Sequence, residues 1–218
     1  MKTVIKLLLC LPLLYFHSSA IAQADINNEV FTSKFVQSKN GVDILFNGKS
    51  HSFTLTFSGV SYKTAKVINN QNNQNFITIG DNIIQASLIA LPQPISPTVK
   101  LSKLTSDEIK ATLEAYVNYE LDYITKDLKV DPANLKKEWK IVNSQLFLIW
   151  SYEAKYNAPG VVKQAKGQIY YSTIVFNQVL DINIPLYDKN EKGSKEEAIR
   201  NIASSLKSYN QPLVVEKR

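Results

Sequence analysis

The sequence holds one cysteine, Cys10, and it lies inside the N-terminal apolar segment. Once that segment is removed, neither a disulfide framework, nor a Cys-His dyad, nor a thiolate zinc site is available. Histidine is almost as scarce, His17 and His51 being the only two. A Ser-His-Asp triad would have to use His51, and no G-x-S-x-G elbow accompanies it, so His51 reads as a strand-edge residue. Seven glycines leave no G-x-G-x-x-G and no P-loop, so nucleotide phosphates find no cradle. Arg200 and Arg218 are the only arginines and the lysines are scattered, which argues against nucleic acid as a partner. No catalytic residue, metal-ligand set or cofactor is assigned.

The chain opens with Lys2 and Lys6, the apolar run Leu7 to Phe16, and the small-residue stretch Ser18, Ser19, Ala20, Ile21, Ala22. That order predicts a cleavable secretory signal over residues 1–22, cut before Gln23. The ten-residue apolar run is short against the about 20 needed to span a bilayer, so no stable membrane insertion is expected after cleavage. Cys10 follows Leu7-Leu8-Leu9, the wrong context for lipid attachment. Residues 23–218 are expected to be a single α+β domain exported to a periplasm or the cell exterior, with 23–38 a candidate flexible lead-in. Losing Lys2 and Lys6 takes the formal charge from +6 to +4.

Periodicity supplies the elements. Residues Val42 to Phe46 and Ser52 to Phe57 flank Asn47-Gly48, a hairpin signal, and Phe53, Leu55 and Phe57 alternate with Thr54, Thr56 and Ser58. Tyr62 to Ile68 and Phe76 to Leu91 read as strands around the polar tract 69–75, with Gly80-Asp81 a turn or bulge inside the second. Pro92, Pro94 and Pro97 end that segment, and 92–103 is expected to be an ordered connection.

Thr105-Ser106-Asp107-Glu108 has capping-box spacing and predicts a helix to about Leu128, with Ile109, Leu113, Val117, Leu121, Ile124 and Leu128 as its buried stripe. Tyr116, Tyr119 and Tyr123 lie on its flank, with rings expected buried and hydroxyls wet. Asp131-Pro132 breaks the helix. Strands are predicted over Leu146 to Tyr156, Gly167 to Phe176 and Val179 to Tyr187, forming an antiparallel meander. The loop Asn157 to Lys166, with Pro159-Gly160, is a candidate binding loop. Ser194-Lys195-Glu196-Glu197 is read as a second capping box, opening a helix over about 194–210 with Ile199, Ile202, Ala203, Leu206 and Tyr209 inward. The fold class is α+β, an antiparallel sheet flanked by two main helices.

Two kinds of side chain could carry function. Paired carboxylates could hydrolyse glycosides; Glu120 and Asp127 share one side of the long helix, Glu153 sits toward a strand end, and Asp181 lies on a polar strand face. Their blander reading is a solvated surface, paired with lysines such as Lys126 and Lys155. Aromatic residues are the other kind: Trp139, Trp150, Tyr152, Tyr156, Tyr170 and Tyr171 all lie in the second half. Alternation sends Tyr170 and Tyr171 to opposite sides of their strand, so at least one of them is expected at a solvent face. The candidate ligand-binding residues are Tyr152, Tyr156, Tyr170, Tyr171 and Glu153.

Residues 105–208 run helix, strand around Trp150, loop, Gly167-Gln168-Ile169-Tyr170-Tyr171, a further strand and a helix containing Ala203-Ser204-Ser205-Leu206-Lys207. This order resembles the PsbP/Mog1/DcrB-like α+β proteins. The resemblance implies helices packed on an antiparallel sheet, used for accessory binding more than for catalysis, and it carries over no catalytic constellation. The expected function is an exported non-enzymatic binding or accessory protein of the cell envelope, with a protein, small-molecule or carbohydrate ligand. The alternatives are a secreted carboxylate-dependent hydrolase and peripheral binding to an anionic membrane surface through lysines.

Overall fold

The computed structural model describes residues 29–59, 61–68, 73–90, 104–156 and 165–214. The expected signal over 1–22, the connection 92–103 and most of the loop Asn157 to Lys166 lie outside the described residues, as does the side chain of Tyr156.

Two antiparallel sheets form. The first runs β1 (Thr32–Ser38), β2 (Gly41–Asn47), β3 (Ser52–Ser58) and, on its far side, the short β11 (Lys207–Tyr209). In β2 and β3 the alternation is met: Val42, Ile44 and Phe46 stand opposite Phe57, Leu55 and Phe53, and all six are buried. Phe46 and Phe53 stack with centroids 4.5 Å apart. Residues 32–38, a polar lead-in by pattern, pair with β2 as a strand because Phe31 and half-buried Phe35 join the same core.

The second sheet has seven strands and consists of two meanders joined in its middle. β4 (Tyr62–Ile68), β5 (Asn73–Ile79) and β6 (Asn82–Ala90) make the first; β7 (Val130–Val142), β8 (Gln145–Tyr156), β9 (Gly167–Val175) and β10 (Gln178–Leu186) make the second. Gly80-Asp81 is a two-residue turn that splits the predicted long strand into β5 and β6, and Gly80 takes the positive φ of 56° this turn needs. Asn73, Gln74 and Asn75 belong to β5, so the polar loop is shorter than the tract 69–75. The chain leaves β6, forms α1 (Ser106–Lys126) across one face, enters at the far edge as β7, and walks back until β10 pairs with β6.

α1 starts as its sequence requires. The Glu108 amide donates to the Thr105 hydroxyl oxygen at 3.3 Å, and the Thr105 amide donates to the Glu108 carboxylate at 2.8 Å. The second box does not form. A 3-10 turn (Lys189–Glu191) runs straight into α2 (Lys192–Ser204), so Ser194 already sits inside the helix, and its hydroxyl donates to the Glu191 carbonyl at 2.9 Å. α2 also ends earlier than its pattern suggests, and Tyr209 is in β11 rather than on the helix.

The large sheet is covered on both faces. On one, Leu113, Tyr116, Val117 and Ile124 of α1 pack on Leu148, Trp150, Tyr152, Tyr170, Ile174 and Val179. On the other, the inner face of the small sheet and Ile199, Ile202, Ala203 and Leu206 around α2 pack on Phe147, Ile169, Tyr171, Leu180, Ile182 and Ile184. Double coverage explains why β8 to β10 read as near-continuous apolar runs.

Candidate functional site: acids beneath the long helix

Successive residues on a strand face opposite ways, so β8, β9 and β10 each send alternate side chains toward α1. The register aligns Trp150 with Tyr170, Leu148 with Ser172, and Ser172 with Asp181. Those side chains meet Tyr116 and Glu120, which lie one helical turn apart on α1. Glu120 is 4% exposed and Asp181 2%.

Asp181 is held from three elements. The Ser172 hydroxyl of β9 donates to its Oδ1 at 2.5 Å, Asn183 Nδ2 of β10 donates to its Oδ2 at 3.1 Å, and the Tyr116 hydroxyl of α1 also donates to it. The chain of bonds extends outward: Trp150 Nε1 donates to Ser172 Oγ at 3.1 Å, and Gln168 Nε2 to Asn183 Oδ1 at 2.7 Å. Trp150 and Tyr170 stack face to face with centroids 3.7 Å apart, and Tyr152 lies 6.2 Å from Tyr170. The Tyr116 hydroxyl is therefore inside the network and not in water, whereas Tyr119 is exposed.

Burial sets the protonation states. It raises the Asp181 carboxyl to about 6 against the opposing hydrogen bonds from Ser172, Asn183 and Tyr116. It raises Glu120 further, to about 8, with the Asp181 charge adding to the effect. Tyr116 and Tyr170 are pushed well above the usual tyrosine range, first by burial, then by the neighbouring acids. Of the two, Asp181 is the first to give up its proton and Glu120 the harder to ionise. Such a division is what acid–base hydrolysis uses. Here, however, both Asp181 oxygens accept hydrogen bonds from the protein itself and both carboxyl groups are enclosed.

The expected ligand residues divide between the two faces. Tyr152 and Tyr170 sit in the network under α1, while Tyr171 and half-buried Glu153 alternate to the face toward the small sheet and α2. Tyr170 is 5% exposed and Tyr171 2%, so neither is at a solvent face: the sheet has a layer on each side. Glu120 and Asp181 are likewise not solvated, and Lys126 pairs with Asp122 instead, at 2.7 Å. Tyr116, Ser172 and Asn183 are network members that no motif singles out. The signal for Tyr116 was positional, since it falls three residues after Leu113 and one before Val117, at the buried stripe.

A second polar cluster lies at the β2–β3 hairpin. Glu29 accepts hydrogen bonds from the amides of Ser50 and His51, and its Oε2 lies 2.6 Å from His51 Nδ1. Burial alone would raise the Glu29 carboxyl; bonds from the Ser50 amide, the His51 ring and the His51 amide, with the His51 charge, bring it below its ordinary value. The His51 ring lies tilted against Phe176, with ring centroids 4.5 Å apart. His51 thus pins the segment preceding β1, at the strand edge where the sequence puts it. Among the described residues there is no group of three or more His, Cys, Asp or Glu able to hold a metal ion. Among them, too, no helix is long and apolar enough to cross a membrane.

Two antiparallel sheets, with one helix on one face of the larger sheet and the other helix packed with the small sheet on its opposite face, define an α+β protein dominated by its sheets. No protein-family model matches the chain, and no curated protein sequence matches it. Among solved structures it is similar to the solution structure of cyanobacterial PsbP (CyanoP) from Synechocystis sp. PCC 6803. Identity is 10%, the match covers 86% of this chain and 99% of that one, and the TM-score is 0.45. This is a distant PsbP-like resemblance.

Proposed function

We propose that the protein is an exported, non-enzymatic binding or accessory protein of the cell envelope. The observation that supports this reading over catalysis is the closure of the Glu120–Asp181 carboxylate pair. Asp181 spends its oxygens on Ser172, Asn183 and Tyr116, and Glu120 is sealed beneath α1, so neither is presented to a substrate. Export rests on the leader pattern of residues 1–22. Ligand contact falls to the outer surfaces and to Tyr156 and the loop beside it, because Tyr152, Tyr170 and Tyr171 are covered.

The hydrolase reading has one observation in its favour, the split protonation of Glu120 and Asp181. The test separates the two. Protein recovered from the cell envelope is expected to begin at Gln23, to give a saturable cross-link to an envelope component, and to release no sugar from a panel of glycosides. Turnover that disappears in Glu120→Gln would replace the binding reading with the hydrolase. An intact leader on envelope-derived protein would remove the export part.

A further inference from the structure

We infer that Glu120 and Asp181 form a proton-operated latch: with a proton on Glu120, α1 lies closed on β8 to β10, and loss of that proton loosens α1 from the sheet. The geometry carries this. One acid is on the helix and the other on the sheet, both are enclosed, and Asp181 is fixed by donors from β9, β10 and α1. The titratable groups that face Glu120 are Tyr116 and Tyr119 from α1, Tyr170 from β9 and Asp181 from β10; Tyr152 of β8 adjoins Tyr170. Each of these is an acid, and among the described residues no lysine, arginine or histidine is one of the groups acting on the pair.

A second negative charge arriving between α1 and β10 therefore meets repulsion with no counter-ion among the described residues, in a site where water screens little. The element it acts on can yield as a unit. α1 packs on the sheet through one face, with the Lys137–Glu114 ion pair at 2.6 Å tying it to β7 at the sheet edge. Directly beneath it lie Trp150, Tyr152 and Tyr170, so loosening uncovers an aromatic platform that the closed form hides. None of this depends on the export or the partner proposed above.

Hydrogen exchange along α1 tests the latch, measured on the purified protein from about pH 6 to about pH 9 and corrected for the intrinsic base catalysis of exchange. The opening of α1 is expected to rise about tenfold or more across that range, the factor that one unit of carboxyl shift represents. Glu120→Gln keeps the shape and removes the charge; its α1 is expected to stay closed throughout. A carbon-13 carboxyl titration of the unaltered protein gives the same answer if the variant does not fold, with Glu120 still protonated at neutral pH. Exchange in α1 that is flat with pH, an equal rise in Glu120→Gln, or a Glu120 carboxyl that titrates in the ordinary acidic range would each overturn the latch.

Discussion

Asp181 and Trp150 share Ser172, whose one hydroxyl accepts from the indole and donates to the carboxylate. Replacing it strands two buried polar groups at once, and an unmade buried hydrogen bond costs about 1–3 kcal/mol. Ser172→Ala is expected to lower unfolding stability by about that amount, read as a shift in the urea midpoint at unchanged slope. A midpoint equal to that of the parent would mean that the network is dispensable. The same residues show what the sequence conceals at this scale. The alternation around Asp181 marks it as one face of a strand, but only the presence of α1 above that face makes the position dry. Tyr170 and Tyr171 differ in face as their spacing requires; their burial follows from a layer on both sides, which no local pattern records.

Among elements, the two helix starts give opposite expectations from similar sequences. Thr105 satisfies the free amide of Glu108, so Thr105→Ala is expected to cost about 0.5–2 kcal/mol. Ser194 lies within α2 and caps nothing; Ser194→Ala is expected to stay within about 0.5 kcal/mol of the parent. Parallel thermal melts check both, and equal losses would contradict the structure at α2. Gly41 is constrained by a neighbour: a Cβ there would lie 2.0 Å from the Phe57 carbonyl oxygen, so Gly41→Ala is expected to pry β2 from β3 and lower the melting temperature.

Strong periodicity made β2, β3, β8, β9, β10 and α1 readable before any coordinates, along with the capping box. β7 was not, because its Asp131, Lys136, Lys137, Glu138 and Lys140 erase the alternation. Those charges, with Pro132 and a bulge between Ala133 and Lys136, suit a sheet margin that must not recruit further strands. β11 escaped for a different reason, being three residues long and defined by its partner rather than by itself.

For the molecule as a whole, the two raised carboxyls set the sign of the pH response. The unfolded chain releases these protons near the ordinary values of 3.8 and 4.5, whereas the folded chain keeps them to about 6 and about 8. Over that window the native state binds more protons, so their contribution to stability is greatest in acid and is lost as pH rises toward about 8. The urea midpoint is expected to fall between about pH 5 and about pH 8, and to fall less in the Glu120→Gln, Asp181→Asn double variant. Identical slopes in the two proteins would show that other groups set the profile.

The position of β11 has a kinetic side. It closes the small sheet against β3, and nearby the Asn47 side chain bonds the backbone of Leu213 across a separation of 166 residues. Contacts so distant along the chain form late. While residues beyond 204 are still being synthesised, β3 keeps an open margin, and Asn47 and Ser52 lack their partners at Leu213 and Gln211. The β2–β3 hairpin thus gains its full set of partners only when the last described segment of the chain is in place.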